Sequence, residues 1–236
     1  MEQPNLEKQL ATIQKTPSGL KVIFKEILRD KFALTSLILF LVLTVPITIY
    51  SFILDQDAVT RVDILNIFQQ PSENYWLGTD HGGRDVFGQL IIGTRNSLAI
   101  GIAITLFGSL IGIILGLIAG YYGGQVDNVI MRIVDFFFIL PTMLLIITFV
   151  AINPGYNMVE FCIIFIAFSW MSICRLVRSK ALQEASLEYV QAAKTLGTPG
   201  YKIIFGHILP NVSSIIIVNV TLMLAANIGI ESGCHF

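Results

Sequence analysis

The residues able to do covalent or metal chemistry are few in this sequence, and they do not gather. His81, His207 and His235 are dispersed, whereas a nucleophile with its base, or a metal centre, needs such groups within reach of one another. Cys162, Cys174 and Cys234 form no C-x-x-C pair, so they predict neither a metal site nor a disulfide framework, and buried inert thiols are expected. Gly123-Gly124 is followed by neither Lys-Ser nor Lys-Thr, and no Walker A pattern occurs elsewhere, so the chain does not hydrolyse ATP by that chemistry. What remains is polar rather than reactive. Two amides, Asn219 and Asn227, lie inside an apolar run, Asp135 lies at the edge of another, and a polar stretch over 187–211 separates two apolar segments.

Composition says what surrounds these groups. Hydrophobic residues make up 54% of the chain, charged residues 13%, and the mean hydropathy is +0.74, which marks a membrane protein. The net charge of -1 implies no general attraction to nucleic acid. Five apolar runs are long enough to span a hydrocarbon core of ~30 Å, or nearly so: 32–54, 97–119, 133–151, 158–174 and 208–230. The fold class expected is therefore an all-α, polytopic membrane helix bundle.

Residues 1–31 carry Lys8, Lys15, Lys21, Lys25, Arg29 and Lys31, with acids interspersed, and 20–30 reads as a short amphipathic surface helix or a solvated linker. The 55–96 loop holds six acids and only three basic residues, so the positive-inside rule puts the N-terminus in the cytoplasm and this loop outside. Arg175, Arg178 and Lys180 then fall inside, as that orientation requires. Gly108, Gly112, Gly116 and Gly120 recur every fourth residue and present one close-approach face, for packing within the subunit or for an inter-subunit seam. The third run is expected to kink at Pro141, and Asp135 is expected to pair with Arg132 three residues earlier.

Within the cytoplasmic loop 175–207, residues 184–196 read as a helix stopped by Gly197 as a left-handed cap. Thr198-Pro199 then reads as an N-cap with Pro at the first helical position. Two short helices thus meet at a sharp corner. Small residues at Ala192 and Ala193 would let that corner sit close to a partner, and Tyr189, Leu196 and Tyr201 supply apolar contact area. A loop lying on the membrane surface is the competing interpretation.

Gln191-Ala192-Ala193, Gly197 and Leu209-Pro210 resemble the EAA signature of ABC importer permeases. Gln191 stands where Glu is usual and His207 where Ile is usual, and both departures match the peptide-permease branch. That branch reads close to Glu188-Tyr189-Val190-Gln191-Ala192-Ala193 and then His207-Ile208-Leu209-Pro210-Asn211. Two more blocks agree: Trp76-Leu77-Gly78-Thr79-Asp80 with Gly83-Arg84-Asp85 and 93–98, and Tyr121-Tyr122-Gly123-Gly124 with Val126-Asp127 and Met131-Arg132. The chain thus resembles a C-type permease subunit of a dipeptide, oligopeptide or nickel importer, with the ABC type I permease fold.

That resemblance implies a non-catalytic pore subunit that binds no cofactor itself, ATP and Mg being held by two partner ATPase subunits. It also implies a second homologous permease, an extracytoplasmic substrate-binding protein and a surround of membrane lipid, in a bacterial inner membrane. Glu188, Gln191, Ala192, Ala193, Gly197, Pro199, Gly200, Leu209 and Pro210 would couple to the ATPases. Gly78, Thr79, Asp80, Arg84 and Asp85 would dock the binding protein, or Asp80 and Arg84 would pair to hold their loop in shape. Asn219 and Asn227 are candidates to line the pathway, with ordinary interhelical hydrogen bonding an equal claim. His207 is expected to be an interfacial hydrogen-bonding group. Oligopeptide cargo is favoured over a bare metal because no His, Cys or Met cluster occurs. A secondary carrier would show an internal repeat or intramembrane charges, and neither is evident. After residue 230 the family pattern calls for a sixth span, and 231–236 are too few to supply it. This end is expected to be truncated or frameshifted, which would compromise transport.

Overall fold

The computed structural model describes residues 31–153, 155 and 157–234. The 1–30 segment with its expected surface helix, and residues 235–236, lie outside the described residues. The helices in chain order are α1 (Lys31–Ile53), α2 (Gln56–Thr60), α3 (Val86–Tyr122), α4 (Gly124–Ile139), α5 (Thr142–Ile152), α6 (Met158–Ala185), α7 (Glu188–Thr195), α8 (Gly200–Ile203) and α9 (Leu209–Cys234). A single 3-10 turn (Ile64–Asn66) interrupts the 55–85 loop, and a π turn (Ile204–Ile208) joins α8 to α9. Among the described residues the only strand-like pairing is an isolated bridge between Thr79 and Asp85. α1, α3, α6 and the continuous α8–α9 rod are each long and apolar enough to cross a membrane, and the α4–α5 pair makes a fifth span if the two are counted together.

The helices outrun the apolar windows. The second begins at Val86 rather than 97, because Asp85 caps it by accepting from the backbone N–H groups of Phe87 and Gly88. Residues 86–96, expected in the loop, are therefore its first turns. The expected turn over 121–132 shrinks to Gly123, at positive φ like Gly124, with which α4 starts at once. The fourth run continues from 174 to Ala185, and its start is fixed by a capping box between Asn157 and Glu160. The third run is broken, with α4 and α5 meeting at 63° across Leu140 and Pro141. Proline removes a donor and disfavours helical backbone in the residue before it, and Leu140 is extended.

The core is the pairing of α3 with α6. A Cβ on Gly116 would lie 2.6 Å from the Cys174 carbonyl oxygen, and one on Gly120 2.6 Å from the Ala181 Cβ. Gly108 and Gly112 meet Ser169 and the Trp170–Ile173 turn in the same way. The glycine face thus serves packing within this subunit. Ile104, Cys174, Val177 and Ala181 are fully buried around that seam, and Cys162 and Cys174 are free buried thiols as expected.

Charges clamp α4 to α6. Arg178 forms a two-pronged ion pair with Asp127, and Arg175 meets Asp135 at 2.7 Å while lying over the Phe138 ring. Asp135 therefore pairs across helices rather than with Arg132, because Arg175 offers a stacked and hydrogen-bonded site on the facing helix. The Asp127 side chain is only 14% exposed and that of Arg178 30%. Asp127→Ala would leave a half-buried guanidinium without its partner, so a loss of about 1–3 kcal/mol is expected, between the values for exposed and buried pairs. A denaturation series in detergent should show it, with Asp135→Ala, an exposed pair, costing under about 1 kcal/mol.

Candidate functional site

The corner over 187–211 is built from the α6 end outward. Ser186 ends α6, so the helix expected over 184–196 is two pieces, and α7 begins at Glu188. α7 closes with a Schellman motif. Gly197, at φ +77°, donates its N–H to the Lys194 carbonyl at 3.0 Å, and Thr198 donates to the Ala193 carbonyl at 3.1 Å. Thr198 is consequently part of the α7 ending and does not cap the next helix. Pro199 occupies that cap position and makes no side-chain cap bond.

Three contacts hold the corner to the bundle. Val190 is fully buried in a cluster with Ala181, Ala185, Ile203, Ile208 and Val212. Gln191 donates from its amide to the Ala185 carbonyl at 2.7 Å, tying α7 back to the end of α6. Asn211 donates to the Tyr189 hydroxyl at 2.7 Å, and that hydroxyl donates to Glu184 at 2.6 Å, so one chain of hydrogen bonds runs from α9 through α7 to α6. Burial pushes the Tyr189 phenol up, and its donation to Glu184 adds to this, so the group stays a donor at neutral pH.

The outer side of the corner is left free. Glu188, Ala192, Gly197 and Pro199 are exposed, Ala193 and Gly200 are half-buried, and Leu196 at the tip is 85% exposed. Leu209 and Pro210 are half-buried in the first turn of α9. His207 is exposed on the π turn with its ring 6.1 Å from that of Tyr189. Sequence reasoning gave no role to Tyr121. Its ring lies under the Lys194 ammonium at 4.6 Å, and its Cε1 is 2.9 Å from where a Gly200 Cβ would be. The available signals were its place in the Tyr121-Tyr122-Gly123-Gly124 block and the bare Gly200 following a proline.

Asn219 and Asn227 line one groove of about 400 Å³ between α6 and α9, together with Ser169, Ser172 and Met223. Asn219 donates to the Ile215 carbonyl of its own helix. Asn227 is buried and donates to the Thr105 hydroxyl of α3 at 2.9 Å, so it also joins two helices. The two serines facing them were not singled out from sequence.

In the 55–85 loop the named side chains are engaged in holding the loop itself. Thr79 is buried, donates its hydroxyl to the Asn66 carbonyl and accepts from the Gln69 N–H at 2.8 Å. Gly78 is buried at φ +76°. Asp80 accepts from the backbone N–H groups of Gly82 and Arg84 at 2.8 and 2.9 Å and from the Gln89 amide at 3.2 Å. The Arg84 N–H bond, with those from Gly82 and Gln89, holds the Asp80 carboxyl below its ordinary range against the opposing effect of desolvation. Asp80 and Arg84 are not joined as an ion pair: Asp80 takes the Arg84 backbone, and the Arg84 Nε is buried without a hydrogen-bond partner. The backbone wins because the N–H groups of Gly82 and Arg84 converge on one carboxylate oxygen, while that of Gly83 goes to the Asp80 carbonyl and closes the turn.

Known proteins are similar to this sequence. The family described as binding-protein-dependent transport system inner membrane component matches residues 112–233, which include Gly112, Gly116 and Gly120 of the glycine face, the corner and the groove. The chain is 42% identical over 215 residues to the oligopeptide transport system permease protein OppC of Lactococcus lactis subsp. cremoris, covering 91% of this chain and 73% of that protein. It is 36% identical to the dipeptide transport system permease protein DppC of Bacillus subtilis, over 90% of this chain and 66% of that protein. A third relative, the glutathione transport system permease protein GsiD of Pectobacterium atrosepticum, is 39% identical over 76% of this chain and 60% of its own length. A glycine-seamed all-helical bundle, a capped corner between its spans and a match of this extent lead to one conclusion: the chain belongs to the inner-membrane components of binding-protein-dependent transport systems, the permease subunits of ABC importers.

Proposed function

We propose that the chain is a pore subunit of an ATP-driven importer of oligopeptides or dipeptides, working by alternating access. The observation that carries the coupling half of this reading is the corner itself. It is rigidly fastened to α6 and α9 on its inner side and open on its outer side, with exposed Leu196 and uncovered small residues at Ala192 and Gly197. Such a shape suits insertion into a cleft on another subunit and transfer of a rigid-body displacement to the spans. In this reading two separate ATPase subunits bind ATP and Mg, and Glu188, Gln191, Ala192, Ala193, Gly197, Pro199, Gly200, Leu209 and Pro210 form or support the contact.

The peptide half rests on the relatives, whose names specify oligopeptide, dipeptide and glutathione transport, and none of the three is a nickel transporter. A second homologous permease completes the pathway, Asn219 and Asn227 contribute uncharged polar groups to it, and a substrate-binding protein delivers cargo from outside. The Lys and Arg residues that precede α1 and those in the last turns of α6 support a cytoplasmic N-terminus and a cytoplasmic corner. Docking of the binding protein falls to the surface of the 55–85 loop, which Gly78, Thr79, Asp80, Arg84 and Asp85 shape from within.

Proteoliposomes holding this chain with its co-purifying subunits should accumulate a radiolabelled tetrapeptide only when ATP and the binding protein are present on their proper sides. Nickel accumulation without peptide accumulation would overturn the peptide assignment. Uptake independent of ATP would overturn the ABC reading altogether.

A further inference from the structure

An apolar trough of about 620 Å³ runs between α1 and the end of the 55–85 loop. Val45, Pro46, Ile49 and Ile53 form one wall, and Trp76 and Phe87 the other. Trp76 is 68% exposed yet fixed in place, its ring 5.1 Å from that of Phe87 at 33°. Phe87 is in turn pinned by the first turn of α3, whose N–H groups Asp85 caps.

The depth of this trough follows from helix length. α1 has 23 residues, and at 1.5 Å per residue it is about 35 Å long, little more than a hydrocarbon core of ~30 Å. No slack remains for its last two turns to stand clear of the bilayer. Val45 is two turns from the end of α1, so the wall that Val45, Pro46 and Ile49 provide lies at hydrocarbon depth, and Trp76 and Phe87 lie beside it. A segment that hydropathy assigns to an aqueous loop thus borders the apolar surface of a helix long enough to span the membrane. The mouth agrees, since Tyr50 also borders the trough, and Tyr and Trp are the side chains that favour the boundary between hydrocarbon and headgroups. One helical turn or two beyond Phe87 and Ile91, Arg95 donates to the Ser51 carbonyl and the Gln56 amide oxygen and lies over the Phe52 ring, placing a cation near the same end of α1.

The trough is continuous with the outward surface of α1, which is almost unburied along its length and is lipid-facing in a membrane protein of this kind. A peptide lodged there would find only a phenol and an indole to satisfy its amides, at the cost of leaving most of them unpaired. An alkyl chain has no such requirement. We propose that the trough is a lipid site, occupied by an acyl chain of a phospholipid in the leaflet on which the 55–85 loop sits, and that Trp76 seats the loop on the bilayer through it. This inference rests on membrane insertion alone and is independent of the cargo.

The chain carries two tryptophans, Trp76 and the buried Trp170, which makes the proposal directly measurable. The full chain, with whatever subunits co-purify, is placed in nanodiscs of phosphatidylcholine or of phosphatidylcholine brominated on its acyl chains. The emission of a Trp76→Phe variant is subtracted from that of the parent. Brominated lipid is expected to remove about half or more of the Trp76 component, with aqueous iodide removing little, as for an indole at the bilayer boundary. If Trp76→Phe does not fold, Trp170→Phe leaves Trp76 as the chain's own reporter for the same comparison. Strong quenching by iodide with none by bromine would mean a water-filled trough and overturn the proposal. Protection from both quenchers would mean that protein covers Trp76, and would overturn it equally.

Discussion

Gly197→Val is expected to uncouple this chain from its ATPases, seen as loss of their co-purification and a fall of at least about tenfold in ATP-driven uptake. Gly197 holds φ +77°, a conformation that costs a side-chain-bearing residue about 1–2 kcal/mol and a β-branched one more. The chain relieves that cost by leaving the left-handed region. Doing so breaks the two bonds that end α7, from Gly197 to the Lys194 carbonyl and from Thr198 to the Ala193 carbonyl, and redirects Pro199 and α8. Space is not the issue, because a Cβ there would meet nothing within 4 Å. The effect should therefore follow backbone preference and not size. Gly197→Asn, which tolerates the left-handed region, should retain most assembly, whereas Gly197→Val should not. Unchanged assembly in the valine variant would remove the corner from the coupling path. Because the corner is anchored independently by Val190 and Tyr189, the spans should still fold in that variant, and the thermal midpoint of the isolated chain should barely move.

The opposite pattern is expected at Gly116. A Cβ at that position falls 2.6 Å from the Cys174 carbonyl oxygen, 2.9 Å from the Val177 Cβ and 3.0 Å from the Arg178 backbone nitrogen. Two of these three neighbours are backbone, which cannot rotate away, so α3 and α6 must separate along a seam that is otherwise fully packed. Overpacking of a well-filled core costs typically about 1–3 kcal/mol, and Gly116→Leu should exceed that because the whole interface opens. The expected readout is failure to accumulate in the membrane, or a thermal midpoint in detergent lowered far more than by Gly116→Ala. Gly93 provides the control on the same helix. It is exposed with open space around it, so Gly93→Ala should be neutral or stabilising by up to about 1 kcal/mol. Equal effects at Gly93 and Gly116 would show that helix propensity, and not the seam, governs both.

These two sites also show why parts of the molecule could be read from sequence and parts could not. Glycines at every fourth position advertise a close-approach face because a helix puts them on one side, and a glycine followed by Thr-Pro advertises a chain reversal. Both signals are local. Helix ends in the membrane regions were less legible, since hydropathy reports where lipid is and not where hydrogen bonding stops. α3 begins 11 residues ahead of its apolar window at an Asp85 cap, and α6 runs 11 residues past its window through Arg175, Arg178 and Lys180. Partners of charged groups were the least legible. Asp127 and Arg178 are 51 positions apart and Asp135 and Arg175 are 40 apart, so no spacing rule relates them. Asp135 and Arg132 had the right spacing for a helical pair, but Arg175 reaches across from α6, hydrogen-bonded to Asp135 and lying over the neighbouring Phe138 ring of α4. At Asp80 and Arg84 the spacing rule failed for a different reason. The segment is a turn, and its backbone N–H groups outcompete the side chain four residues on.

The hydrogen-bond chain from Asn211 through Tyr189 to Glu184 constrains how motion can pass through the subunit. The corner is joined to α6 at Glu184 and Ala185 and to α9 through an uninterrupted rod that includes the π turn, and those two helices are the walls of the groove that holds Asn219 and Asn227. A push at the tip cannot swing one wall without dragging the other. In the proposed importer the subunit would act as a single jaw, its bite surface moving as one piece, and the aperture it controls would be the gap it leaves against whatever stands opposite.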